Sequence, residues 1–135
     1  MTPQQKNIVK SLIAVAWADG KVEEVESGVI EGLLCGFDAS DDEERELLEY
    51  ARQRRTLSDD LPLAELRRED RELVLANAAL ITHADGTQTR AEQSLLGRLS
   101  VLLGFSEAEA SAILRSSRGV KADQAKPIDQ SEDAT

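Results

Sequence analysis

The sequence predicts an all-α protein, and three observations carry that prediction. Apolar residues recur every three to four positions along most of the chain. Ser/Thr-x-x-Glu/Gln capping signatures stand in front of several of these stretches. No segment alternates apolar and polar residues as a half-buried strand does.

Taken in order, Thr2-Pro3-Gln4-Gln5 supplies an N-cap threonine, a proline at the first helical position and a glutamine that closes a capping box. Ile8, Val9, Leu12, Ile13, Val15 and Ala16 follow at helical spacing. Asp19-Gly20 ends this helix, because glycine takes the left-handed C-terminal conformation at little cost. A second helix carries Val25, Val29, Ile30, Leu33 and Leu34 on one face. Gly28 and Gly32 lie inside it, each costing about 1 kcal/mol relative to alanine, so close approach of a neighbouring helix is the expected compensation. Gly36 ends it, with Phe37 folding back over the last turn. Ser40-Asp41-Asp42-Glu43 opens a helix through Leu47, Leu48 and Ala51 to about Arg55. Thr56 to Pro62 reads as a loop, and Pro62 starts a short helix through Leu66. Glu69 to His83 reads as a long helix rich in small apolar residues (Leu73, Val74, Ala76, Ala78, Ala79, Leu80 and Ile81) and is the expected central, most buried helix. Ala84-Asp85-Gly86 ends it. Thr89-Arg90-Ala91-Glu92 caps the next helix, whose Leu95, Leu96, Leu99, Leu102 and Leu103 face inward until Gly104-Phe105. Ser106-Glu107-Ala108-Glu109 starts a last short helix ending near Ser117.

At 135 residues the chain is about one domain long. That domain is expected over 1–117, with 118–135 a disordered tail, since the tail has little apolar content and no periodicity. Aromatic residues are only 3% (Trp17, Phe37, Tyr50 and Phe105), so the core is built from Leu, Val, Ile and Ala. The single cysteine, Cys35, forms no internal disulfide and is expected in the core. With no basic-plus-apolar leader and no apolar run near the ~20 residues that span a bilayer, the reading is cytoplasmic. A net charge of −10 disfavours nucleic acid and anionic lipid as partners. It suits solubility, cation binding or docking onto a basic protein surface. Arg52, Arg54 and Arg55 form a basic cluster too small to overturn that balance. Phosphate loop, zinc spacing, nucleophile elbow and dinucleotide fingerprint are all missing, so no enzyme is expected. His83, the lone histidine, reads as a packing residue, with no thiol or hydroxyl at motif spacing to activate.

Ala18-Asp19-Gly20 and Ala84-Asp85-Gly86 are 66 residues apart (85 − 19), and at that offset Ile8 meets Val74, Val9 meets Leu75, Val15 meets Ile81 and Glu26 meets Glu92. Each copy reads Ala-Asp-Gly, five residues, Glu, then an apolar helix ending in Gly-Phe, with a drift of two residues before Gly-Phe. Ala16-Trp17-Ala18-Asp19-Gly20 with Glu26, and His83-Ala84-Asp85-Gly86 with Glu92, resemble the signature of TerB-like proteins. These include tellurite-resistance proteins and the N-terminal domain of certain DnaJ-type co-chaperones. The resemblance covers about Gln4 to Ser117. It implies a compact bundle of about seven helices with an internal duplication, a divalent-cation site made by the acids, and a role in chemical-stress complexes. This chain departs from a strict repeat twice: Thr82 stands where the first copy has Ala16, and Glu23 where the second has Thr89.

Asp19, Glu26, Asp85 and Glu92 are therefore the candidate metal ligands. An aspartate at a helix end and a glutamate early in the next helix can converge across a short turn as hard oxygen donors for Ca²⁺ or Mg²⁺, with Glu23 and Glu24 nearby. The spacing is not that of an EF-hand. Capping is the competing explanation: Glu92 sits three residues after Thr89, where a capping-box glutamate belongs. Asp19 and Asp85 can satisfy free main-chain groups in their turns. Glu26 has no hydroxyl partner at position 23, so capping accounts for it less well. Two functions follow: a non-enzymatic stress-response protein whose acidic face binds a divalent cation and protein partners, or a metal-independent interaction module.

Overall fold

The computed structural model describes residues 1–21, 28–82 and 90–115, with the Glu92 side chain excepted. Within them the regular structure is entirely helical: α1 (Pro3–Asp19), α2 (Val29–Gly36), α3 (Asp41–Ala51), α4 (Leu57–Asp60), a 3₁₀ turn (Leu63–Glu65), α5 (Arg68–Thr82), α6 (Arg90–Leu102) and α7 (107–115). The capping logic holds at α1, where Thr2 Oγ1 accepts from Gln5 N and Gln5 Oε1 accepts from Thr2 N. It holds again at α3 through Ser40 and Glu43, and at α7 through Ser106 and Glu109.

The first helix, rather than the fifth, is the hub. α1 packs against α2, α3, α4, α5 and α6, most extensively against α5. Its residues from Ser11 to Ala16 are buried on every side. The sequence favoured Glu69–His83 for its many small apolar residues, but α5 keeps an exposed edge at Leu73, which is 45% exposed. Val9, Leu12, Ile13 and Val15 of α1 meet Val74, Leu75, Ala78 and Ile81 of α5 in one core. Small Ala78 and Ala79 on α5, opposite the larger α1 residues, suit close helix packing. Thr82 is fully buried where the first copy has Ala16, and its hydroxyl is satisfied by donation to Ala79 O at 3.0 Å.

Three helix ends are built alike. At the end of α1, Gly20 is left-handed (φ 74°), and Lys21 N and Gly20 N donate to Ala16 O and Trp17 O. This is the paired Schellman arrangement, which satisfies the last carbonyls of the helix. At the end of α6, Gly104 (φ 86°) takes the left-handed place, and Phe105 N and Gly104 N donate to Ser100 O and Val101 O. At the end of α2 the left-handed residue is Asp38 (φ 58°), and Ala39 N and Asp38 N donate to Leu34 O and Cys35 O. Asp38 and Gly104 are 66 residues apart (104 − 38), as are the capping serines Ser40 and Ser106. The backbone therefore shows no two-residue drift between these ends.

Other expectations change accordingly. Gly36 is the last residue of α2 rather than its terminator. Gly28 is the N-cap of α2, not an interior residue, and Gly32 faces outward, with no heavy atom within 4 Å of an added Cβ. Cys35 is exposed, because α2 puts Ile30 and Leu34 inward and one helical turn cannot bury position 35 with them. The Thr56–Pro62 loop contains α4, whose N-cap Thr56 accepts from Asp59 N at 3.2 Å. After Pro62 the chain makes only a 3₁₀ turn. Arg71 ties these pieces together: its guanidinium donates to Leu66 O, Leu103 O and Leu63 O at 3.1, 3.0 and 2.7 Å. The expected tail, 118–135, lies outside the described residues, and no described helix is long and apolar enough to cross a membrane.

Candidate functional site

Asp19 closes the last turn of α1, and its side chain is only 8% exposed. The left-handed Gly20 turns the chain so that Lys21 leaves beside it, and Lys21 Nζ lies 3.7 Å from Asp19 Oδ2. The same ammonium donates to Thr82 O at 3.2 Å and Ile81 O at 3.4 Å, the final carbonyls of α5. A cation is well suited there, because the carbonyls at a helix C-terminus carry partial negative charge. Lys21 thus joins the C-terminal ends of α1 and α5, the two helices that lead into the two Asp-Gly turns. Trp17, two residues before Asp19, anchors this end from the other side: its indole N–H donates to Ala51 O of α3 at 2.8 Å.

Of the four residues singled out by the repeat, Asp19 is in this arrangement. Glu26 and Asp85 lie outside the described residues, as do His83, Glu23, Glu24 and the Thr89 cap. Glu92 lies on α6, its side chain outside the description. Among the described residues no three Asp, Glu, His or Cys side chains form a metal-holding cluster. The donors in question are carboxylate oxygens, which fit a hard cation such as Ca²⁺ or Mg²⁺ and not a soft one. A cation reaching Asp19 would share it with the Lys21 ammonium.

Lys21 was not foreseen from the sequence. The local signal was present, a lone base directly after Asp-Gly and before three acids within five residues (Glu23, Glu24, Glu26). Its long-range partners were not readable, because they depend on how α1 crosses α5.

A family model described as tellurite resistance protein TerB matches residues 5–118, which takes in all but the first two residues of α1, all of α2 to α7, and both Asp-Gly pairs of the sequence. No curated protein and no solved structure gives a significant match to the sequence. With most of its length matched by that model, and with the all-helical fold just described, the chain belongs to the TerB family.

Proposed function

We propose that the protein is a non-catalytic stress-response protein of the tellurite-resistance type, in which Asp19, Glu26, Asp85 and Glu92 bind Ca²⁺ or Mg²⁺ and the acidic face docks protein partners. The observation that carries this reading is the Lys21 bridge. It links the turn holding Asp19 to the last carbonyls of α5, three residues before Asp85 in the chain. The ends of α1 and α5, each followed in the sequence by an Asp-Gly pair, meet at this lysine. Family membership supports the tellurite-resistance character, and the acidic excess supports both a cation and a basic partner surface.

A second reading is favoured by the same lysine. An ammonium 3.7 Å from Asp19 already offsets its charge, as suits a metal-independent interaction module. Calorimetric titration of the chelator-treated protein with Ca²⁺ and Mg²⁺ separates the two. On the cation reading, binding is saturable, and Asp19→Asn and Asp85→Asn each abolish it. No heat at millimolar ion, with a normal unfolding transition, leaves the adaptor reading.

A further inference from the structure

We propose that a groove beside α6 docks an acidic amphipathic helix of a partner protein. The groove has a volume of ≈ 990 Å³ and runs between the end of α1, the segment entering α4 and the outer face of α6. Trp17, Leu57 and Val101 supply its apolar surface. Val101 is 74% exposed, the most exposed large hydrophobic among the described residues.

Its charge is the opposite of the molecule's. The chain carries 26 acidic and 16 basic residues, yet the described lining of the groove holds Arg54, Arg55 and Arg98 and no carboxylate. Arg55 is committed to the fold, stacked 3.5 Å from the Tyr50 ring and 3.7 Å from Asp60. Arg54 and Arg98 are exposed and have no carboxylate partner among the described residues. Two guanidinium groups lining one apolar groove, with no carboxylate partner among the described residues, select an acidic segment with apolar anchors and oppose a basic one.

The α6 surface also has the shape a helix requires. Ser94, Gly97 and Val101 follow one another at helical spacing along the groove, and small residues there let a second helix approach closely. Gly97 lies within a helix, where glycine costs about 1 kcal/mol relative to alanine. An added Cβ at Gly97 meets no heavy atom within 4 Å, so packing among the described residues does not explain this glycine. On the proposal, that open space admits the backbone of an incoming helix. The complementary partner places apolar residues at i, i+3 or i+4, and i+7, with acids on the flanks facing Arg54 and Arg98.

Trp17 is the chain's single tryptophan and lines the groove, so its emission reports occupancy. The test titrates the full chain, in chelator, with a synthetic helical peptide carrying leucines at i, i+3 and i+7 flanked by glutamates. A matched peptide with lysines in place of the glutamates is the control. Only the acidic peptide is expected to give a saturable change in emission. Arg54→Glu and Arg98→Glu should each weaken it by about fivefold or more. Gly97→Leu should block binding while leaving the unfolding midpoint unchanged or raised, which a purely structural role for Gly97 would not produce. The proposal is overturned if the acidic peptide gives no saturable response, if both peptides bind equally, or if Arg98→Glu and Gly97→Leu leave binding intact. Self-association abolished by Gly97→Leu would instead make a second copy the occupant. A change in Trp17 emission on neutralising Asp129, Glu132 and Asp133, without peptide, would make it the chain's own C-terminal segment. Because chelator is present throughout, the outcome is independent of the cation reading.

Discussion

Gly36-Phe37 and Gly104-Phe105 are the same two letters at the ends of two corresponding helices, yet the fold uses them differently. At the second, Gly104 is left-handed and Phe105 is buried beside the core. At the first, Gly36 is still helical, Phe37 is only half-buried, and Asp38 takes the left-handed place. The main-chain bonds nonetheless correspond one for one. Phe37, Asp38 and Ala39 donate to Leu33, Cys35 and Leu34, as Leu103, Gly104 and Phe105 donate to Leu99, Val101 and Ser100. The shared feature is a backbone position, reached 66 residues apart by an aspartate once and a glycine once. Letter identity pointed two residues away from it.

Truncating equivalent leucines breaks the symmetry most. Leu99 is fully buried, and Leu33 is only partly packed against the core. Leu99→Ala should cost about 2–5 kcal/mol and Leu33→Ala clearly less, read from urea unfolding midpoints at constant m. Equal costs would mean the two ends pack alike after all. Arg71 comes next. Its three main-chain acceptors have no counterpart in the first copy, where the corresponding residue is Gln5, part of a cap. Arg71→Ala should cost about 2–4 kcal/mol, because three carbonyls lose a charged donor at once.

The glycines themselves give effects of opposite sign. Gly104→Ala forces a side chain into φ 86° with its Cβ 3.4 Å from Arg71 Nη1, and should destabilise by about 1–2 kcal/mol. Gly36→Ala adds a Cβ into open space on helical backbone, and should stabilise by up to about 1 kcal/mol. Thermal unfolding of both variants decides the point. If Gly36→Ala destabilises as much as Gly104→Ala, the two glycines are equivalent and the backbone correspondence is wrong.

What could be read from the sequence followed from how local each cause is. The boxes at Thr2, Ser40 and Ser106 were legible because cap and partner lie three residues apart. The Asp38 turn was not: a left-handed aspartate has no letter signature, and the adjacent Gly-Phe offered a better one. Cys35 was misplaced because α2 is short, so its apolar content ran ahead of the space available inward. At the candidate site, the repeat marked Asp19 directly, whereas Lys21 needed the crossing of α1 and α5 to acquire its acceptors. The Arg54–Arg98 groove was hidden for the same reason, since two arginines 44 positions apart (98 − 54) become one surface only after folding. The arginine cluster before Thr56 was visible, but net charge argued against giving it weight.

The smallest expected effect compares the two capping boxes through pH. The Glu43 carboxyl is held below its ordinary value of 4.5, first by the Ser40 main-chain N–H and then by the Met1 ammonium. The Glu109 carboxyl is lowered likewise, first by the Ser106 N–H and then by Arg68, whose guanidinium lies 3.0 Å away. A carboxylate with a lowered folded pKa stabilises above its unfolded value, and that stability is lost as pH falls through the folded value. The window therefore opens near 4.5 and extends downward. Glu43→Gln and Glu109→Gln each keep an acceptor for the serine N–H and remove the titration. Each should lower the unfolding midpoint modestly near neutrality, where the carboxylate is ionised, and make its fall between about pH 5 and pH 3 shallower, so that variant and wild type converge in acid. Added salt should narrow the gap between wild type and variant, because the Met1 and Arg68 contributions are screened at the surface while the main-chain bonds are not. If one variant flattens the acid limb and the other does not, the two boxes are alike in geometry only.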